Sequence, residues 1–458
     1  MAVWMGLCPA LAAGLLTAPA EGEVIASAEA LRARMARELH VTKPDRIVFV
    51  PEVKGDLVTD TGNEHFLVFD GPDGSLMAVW TQSTAEGAPD QHIVFARSTD
   101  EGATWTRPRV IAGPAKPGAG ALASWGFPLV SRTGRIYVLY SQHVGRHDTF
   151  FHTTGRMDGI CSDDLGQTWS APQTIAMPRS NRDNPDPSFP GNWIVWQKPL
   201  RLTRDGRYLV GFTRWTSKAV KPNPTKSWIS HEACVEFIRF ENVDAGPAVA
   251  DLRLSFFLPN DQALRVPFPG HPTVSACQEP SLVKLPDSRL FCVVRTAAGS
   301  PFWSCSADDG ETWSVPRRLL RRDGGEPLAH PLSPCPIYDV GGNAAGSGRY
   351  ALFIHNHDGH FQRWGPTDTS HHRRPIYLVP GRYQAGADQP VWFDEPRLFC
   401  DHQGVGLGPV GSRGRQDLAF YASMTVRAGQ AVLWYPDRKF FLLGRVIGSA
   451  WWAGGGGA

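Results

Sequence analysis

The sequence predicts an all-β protein, a single six-bladed β-propeller with a short N-terminal helical extension. Three observations carry that expectation. An octet of the form S-x-D-x-G-x-T-W occurs three times, at residues 98–105, 162–169 and 306–313. Each copy follows a short strand-like run (93–97, 159–161, 302–305) and is followed by Pro108, Pro172 or Pro316. The spacing is regular: about 64 residues separate the first two copies and about 144, twice 72, the last two, so one unit with a degraded turn lies between them. From residue 45 onward, about 410 residues at roughly 65 to 72 per unit make about six blades.

The octet is a tight-turn element. An Asp carboxylate accepts from backbone N–H groups just ahead of it, Gly supplies a positive φ, and Ser and Thr hydroxyls add ties. The Trp packs the turn on the sheet below. None of this is chemistry. The octet is the Asp-box, and here the chain resembles the sialidase (neuraminidase) superfamily. Asp-boxes also occur in non-catalytic propellers, so the turns leave the function open.

Composition narrows the classes. With 42% hydrophobic residues, 47 Gly, 38 Pro and 16 Trp, the chain reads as a turn-rich globular protein. Its 46 basic and 44 acidic side chains balance to +2 without a dominant basic patch, which argues against nucleic acid. Residues 1–22 read as a signal peptide: an apolar stretch with Leu7, Leu11, Leu15 and Leu16 ends in Ala18-Pro19-Ala20, though it lacks a basic start. Export to the outside or the periplasm is the first reading and a cytoplasmic protein the second. No later stretch is apolar for ~18 residues, so no membrane span is expected. The eight Cys form no C-x-x-C pair, which disfavours a zinc site. Cys292 and Cys305 flank a hairpin turn and are a candidate disulfide, with buried thiols as the alternative.

Taken in order, residues 23–44 form the helical extension, with Val24, Ala28, Leu31, Met35 and Leu39 near one face. The propeller spans 45–450 and a Gly-rich tail 451–458. Blade one has strands at 65–69 and 76–82. Blade two has strands at 127–131 and 136–141. A Pro/Asn/Asp loop over 180–192 follows. Blade three has strands at 193–202, 208–215 and 234–240 and no Asp-box. Blade four is 279–313. Blade five draws on 338–355, 375–379 and 391–400, and blade six on 418–426, 431–435 and 440–446. The N-terminal segment is expected to supply a strand that closes the ring.

The chemistry-bearing candidates lie at strand ends. Glu279 enters the first strand of the blade-four hairpin and Arg295 leaves the second, so both ends meet one rim. Sialidases carry a Glu and a substrate-binding Arg at these places; the D-G-R turn between them reads Asp287-Ser288-Arg289 here. His371-His372-Arg373-Arg374-Pro375 resembles the strand that delivers another substrate Arg, assigned to Arg374 with Arg373 as fallback. Two cations on one rim suit a carboxylate. Tyr421 stands where the family's nucleophile would be. A phenol with an ordinary pKa near 10 needs a base, Glu279, and the cations Arg295 and Arg374 to lower that value. Asp90, in the loop before the first Asp-box, is the matching acid/base. Each of these residues also has a structural reading, as an ion pair, a strand-end ring or a turn.

The chain departs from the family at blade one. The Arg of the family's Arg-Ile-Pro motif, third member of a clamp on the substrate carboxylate, is replaced by the run Asn63-Glu64-His65-Phe66. Arg46-Ile47 lies too far upstream to stand for it. His65 is then a rim or structural His. The dense polar run 355–360 could hold a transition metal, but a sugar-contact loop is the preferred reading, and neither metal nor cofactor is expected. The resemblance implies a retaining exo-glycosidase acting on a terminal acidic sugar of a glycan, working as a monomer. The alternatives are a His65-dependent hydrolase or lyase on a uronic-acid or rhamnose polysaccharide, and a non-catalytic carbohydrate-binding propeller.

Overall fold

Six antiparallel sheets form a ring, each blade running from an inner strand outward. The computed structural model describes residues 23–53, 60–114, 120–202, 206–341, 348–359, 364–369 and 372–452. The expected leader at 1–22, His371, His360 and most of the tail lie outside them. Blade one is Gly62–Asp70, Leu76–Ser83, His92–Ser98 and Arg109–Ala112; blade two is Ala123–Val130, Ile136–Gln142, Arg156–Ser162 and Gln173–Ile175. Blade four is Cys277–Lys284, Leu290–Thr296, Phe302–Ser306 and Arg317–Arg318. Blade five is Ile337–Asp339, Arg349–His355, Ile376–Tyr383 and Val391–Phe393, with Arg397–Cys400 also on its third strand. Blade six is Ser423–Arg427, Gln430–Asp437 and Phe441–Ile447.

The ring closes with a strand from the other end of the chain. Arg46–Phe49 pairs antiparallel with Phe441–Ile447, so the fourth strand of the last blade precedes the first blade in sequence. This also settles Arg46, which sits on an outer edge and not at the centre. Ahead of it, the helix Ala28–Glu38 is capped by Ser27, whose Oγ accepts from Ala30 N. Leu31 and Met35 pack on blades five and six, and Arg438, fully buried, donates to Glu38 at 2.7 Å and to Asp437 at 2.9 and 3.1 Å.

Blade three differs from its sequence reading. The single strand expected over 193–202 is split into Asn192–Ile194 and Leu200–Arg201, both paired with Tyr208–Trp215. Pro199 has no N–H to give to a ladder. The intervening residues turn into the middle of the ring: Lys198 Nζ donates to Val68 O of blade one and Met424 O of blade six, each at 2.8 Å. Gln197 Nε2 donates to Ala422 O at 3.1 Å, and Tyr338 Oη of blade five donates to the same oxygen at 2.6 Å. The blade continues with Ala233–Phe240 and Leu254–Phe257; short 3-10 turns at Val243–Ala245 and Val249–Asp251 stand where blades one, two and four carry an Asp-box.

The three Asp-boxes share one hydrogen-bond pattern. In the first, Ser98 Oγ accepts from Gly102 N at 2.9 Å, and Asp100 accepts from Thr104 N at 2.8 Å and Thr104 Oγ1 at 2.5 Å. Each box also reaches a neighbouring blade. A Cβ on Gly102 would stand 2.4 Å from the Trp434 ring of blade six, and one on Gly166 would stand 2.4 Å from Phe95 of blade one, so side chains are excluded there. The described cysteines are free thiols. Cys305 pairs in register with Phe291, and Cys292 with Ser304, so the two sulfurs leave opposite faces and the expected bridge does not form.

These ties hold the carboxyls of Asp100 and Asp164 down at about 2, chiefly through the Thr hydroxyl and amide of the same box. A group whose pKa is depressed on folding adds stability above its unfolded value, near 3.8, which is lost as pH falls through the folded value. The wild-type urea midpoint should therefore fall between pH 4 and about 2. Asp164→Asn should start lower at pH 7 and lose less across that window; parallel curves would contradict the role given to the box.

Candidate active site

Three inner strands share a local distortion that aims side chains at the centre of the ring. The register slips by one residue between Glu64 and Leu67, between Ser124 and Phe127, and between Gln278 and Ser281. A residue with positive φ stands in each bulge: His65 at 57°, Trp125 at 57° and Glu279 at 49°. Bulges re-aim side chains, and non-glycine residues in this region need support from their surroundings. The preceding blade supplies it. Trp125 N donates to Thr81 Oγ1 at 3.0 Å, and Glu279 N donates to Thr213 Oγ1 at 2.7 Å.

Glu279, Arg295 and Tyr421 converge. Tyr421 Oη donates to Glu279 Oε1 at 2.7 Å, Arg295 Nη1 donates to the same oxygen at 2.5 Å, and Nη1 lies 3.3 Å from Tyr421 Oη. All three side chains are buried. Tyr421 sits just before the first strand of blade six, where its carbonyl accepts from Phe66 N. Trp125 and Trp196 pack edge-on against its ring, both with centroids 5.8 Å away, and Lys439 Nζ lies 4.6 Å over its face.

The trio lies in a cavity of about 360 Å³ that also exposes Glu86, His152, Gln278, Arg373, Arg415 and Asp417, with Trp125, Phe150, Trp215 and Trp228 as an aromatic wall. Arg295 Nε and Nη2 and Glu279 Oε2 have no hydrogen-bond partner among the described residues although they are buried. Unsatisfied donors of this kind mark a place for a missing acceptor. Arg373, also buried, donates Nε to Leu332 O at 3.2 Å and reaches Asp417 at 3.6 Å. Burial and the like charge of Arg295 press its guanidinium below the usual value. An anion beside the two cations would relieve both.

The remaining charges alternate. Lys439 bridges Glu64 at 3.1 Å and Glu86 at 2.6 Å; Arg415 binds Glu86 and reaches Asp417 at 3.3 Å. Glu86 is thereby held well below the usual carboxylate range, its own burial being outweighed by Lys439 and Arg415. Glu64 is pushed up to about 7, mainly by burial.

The expected site residues divide. Glu279, Arg295 and Tyr421 come together. Arg374 does not join them: its guanidinium donates to Asp401 at 2.9 and 3.1 Å and to His402 O, so the cavity receives Arg373 in its place. Neighbours on an extended chain face opposite ways, and a one-residue choice decides which arginine enters. Asp90 is also turned elsewhere. Its carboxylate accepts from Thr84 N at 3.0 Å and Thr84 Oγ1 at 2.6 Å, pinning the two ends of the loop, and Glu86 within that loop reaches the cavity. His65 occupies the bulge matching Glu279, but its ring lies under Trp125 at 5.0 Å, away from the cavity lining. Burial pushes its imidazole down to about 3, with only a weak Trp196 backbone contact opposing. Within the 355–360 run, His355 Nε2 accepts from Phe420 N at 3.3 Å and Tyr377 Oη donates to Asp358 at 2.9 Å, so these residues brace separate segments. Among the described residues no cluster of His, Cys, Asp or Glu has the spacing of a metal site, and no helix is long and apolar enough to cross a membrane.

The phenol differs from expectation as well. Burial first, and the Glu279 carboxylate second, raise Tyr421 well above 10, against the pull of Arg295 and Arg373. The cations do not prevail, because the ring has lost its water and faces an anion at 2.7 Å. A 295 nm titration of wild type minus Tyr421→Phe should thus show no phenolate from this residue up to pH 10. A difference signal with a midpoint at or below 10 would contradict the buried contact.

Residues 74–406 match the BNR repeat-like domain. Among curated proteins none matches the sequence. Solved structures share the fold at low identity. A Hadza microbial sialidase superposes with TM-score 0.57 at 15% identity, over 85% of this chain and 66% of that one. The intramolecular trans-sialidase of Ruminococcus gnavus gives 0.55 at 13%, over 85% and 95%. The NanB sialidase of Streptococcus pneumoniae gives 0.54 at 12%, over 88% and 70%. The chain belongs to the BNR repeat-like domain family and has a sialidase-like propeller fold.

Proposed function

We propose that this BNR-family propeller is a retaining exo-glycosidase that removes a terminal acidic sugar, of the nonulosonic type, from a glycan. The observation that carries the reading is the convergence of Tyr421, Glu279 and Arg295 in one cavity, with Arg295 Nε and Nη2 lacking partners among the described residues. Two N–H groups on one guanidinium edge match the two oxygens of a carboxylate. Arg373 adds a second cation on the same cavity. A cavity of about 360 Å³ is in the range for a small-ligand site.

The chemistry follows from where the anion would sit. In a nonulosonic acid the carboxylate is attached to the anomeric carbon, so an anionic nucleophile would approach against like charge. Tyr421 is neutral, and sialidases are the exception that replaces the carboxylate nucleophile with a tyrosine. Its proton already points at Glu279, so the phenol can lose it as the oxygen bonds the anomeric carbon. Arg295 stabilises the carboxylate of Glu279 before transfer and lies near the phenolic oxygen as charge develops there. Attack by an enzyme oxygen followed by attack by water gives net retention. The missing blade-one arginine leaves Arg295 and Arg373 as the anion's holders.

Release of 4-methylumbelliferone from glycosides of sialic acid, its deaminated analogue, glucuronic acid and rhamnose tests this. Wild type should turn over a nonulosonic acid. Tyr421→Phe should lose at least about 10²-fold in kcat, and His65→Ala, which removes a ring outside the cavity, should stay within about 10-fold. Sugar binding without turnover in wild type would point to a carbohydrate-binding propeller. Turnover of only rhamnoside or uronide, lost in His65→Ala, would overturn the reading in favour of a His-dependent enzyme.

A further inference from the structure

We propose that His152 is the acid/base of this site, protonating the leaving oxygen and then activating water. The assignment rests on the glycosidase reading above and adds the group that reading lacks.

The other carboxylates are committed. Asp90 is bound at Thr84. Both oxygens of Glu86 carry cations, Oε1 with Lys439 Nζ at 2.6 Å and Oε2 with Arg415. A carboxylate so paired keeps no proton to give. Asp417 Oδ2 faces Arg415 at 3.3 Å and Arg373 at 3.6 Å. Glu279 is engaged in taking the proton of Tyr421. Among the described residues, His152 is the titratable group lining the cavity without an ion pair of this kind.

Its placement suits the task. The backbone is fixed by Ser124 Oγ, which donates to His152 O at 2.9 Å. The ring stacks on Trp125, with centroids 6.0 Å apart and 29° between planes. Trp125 also packs against Tyr421, so imidazole and phenol stand along one wall of the cavity. Nδ1 looks toward Gly87, next to Glu86; a Cβ added at Gly87 would stand 3.8 Å from it. Burial holds the imidazole below its usual value; the charge of Glu86 opposes this and that of Lys439 adds to it.

The steps balance. The imidazolium gives its proton to the glycosidic oxygen as the carbon–oxygen bond breaks. The Tyr421 oxygen bonds the anomeric carbon and its proton passes to Glu279. Neutral His152 then takes a proton from water, whose oxygen displaces the tyrosyl oxygen, and Tyr421 recovers its proton from Glu279.

A general acid matters most when the leaving group is poor. The test compares the 4-methylumbelliferyl and methyl glycosides of one nonulosonic acid in wild type, His152→Ala and His152→Asn. Loss of about 10²-fold or more in kcat/KM on the methyl glycoside, with less than about 10-fold on the 4-methylumbelliferyl glycoside, supports the assignment and shows the variants are folded. Equal losses on both, or no loss on either, with an active wild type, overturn the assignment alone. A wild type inactive on both glycosides overturns the glycosidase reading and this assignment with it.

Discussion

Ring closure is the constraint on which the molecule depends. Six sheets, each with a free outer edge and two apolar faces, bury those faces only when every blade has a neighbour on both sides. The last gap is closed by Arg46–Phe49 against Phe441–Ile447, backbone to backbone, across nearly the whole chain. Closure is reinforced at the centre by Lys198 and Gln197, which tie blade three to the inner strands of blades one and six. On the rim, the glycines of the Asp-boxes sit against side chains of the adjoining blade, Trp434, Phe95 and Leu209. The turns that are so visible in the sequence are thus blade-to-blade contacts as well as turns.

The candidate site is a product of that closure. Glu279 and Tyr421 come from blades four and six and meet at 2.7 Å only because the ring brings their ends to one cavity. The bulges at His65, Trp125 and Glu279 then turn side chains inward, each in a backbone conformation that a strand would not adopt unaided. Two bulges are held by a threonine of the preceding blade, so the site geometry is transmitted around the ring. The charges in and beside the cavity are arranged by alternation. Glu64, Lys439, Glu86, Arg415, Asp417 and Arg373 form a chain of opposite signs. The departure is Arg295, two of whose nitrogens have no partner among the described residues and leave room for an anion.

Much of this was legible in the sequence, and the failures have physical causes. The octet repeat and its spacing imply the blades, because a turn that must satisfy several backbone groups in a fixed pattern leaves a fixed residue signature. Glu279 and Arg295 could be placed because each adjoins a strand end of defined phase, and Tyr421 through the resemblance of its segment to the family's last blade. Arg374 was chosen ahead of Arg373, and the cavity receives Arg373, since a one-residue shift on an extended segment reverses the side chain. Asp90 was placed by the resemblance to the family's Asp in this loop, whereas the loop uses that carboxylate to tie its own ends and sends Glu86 inward. The split of blade three at Pro199, the ion-pair chain and the aromatic wall depend on contacts between distant segments and carry no local signal. The pKa of Tyr421 was misjudged because the cations were visible in the sequence and the loss of water was not.

On the proposed reading Tyr421, passing its proton to Glu279, bonds the anomeric carbon of an acidic sugar. The most direct measurement is mass spectrometry of the protein after exposure to a 3-fluoro nonulosonyl fluoride, whose glycosyl-enzyme intermediate hydrolyses slowly. A stoichiometric adduct mapping to Tyr421, absent from Tyr421→Phe, is the expected result. An adduct on another residue, or an enzyme that turns the sugar over without forming one, would contradict it.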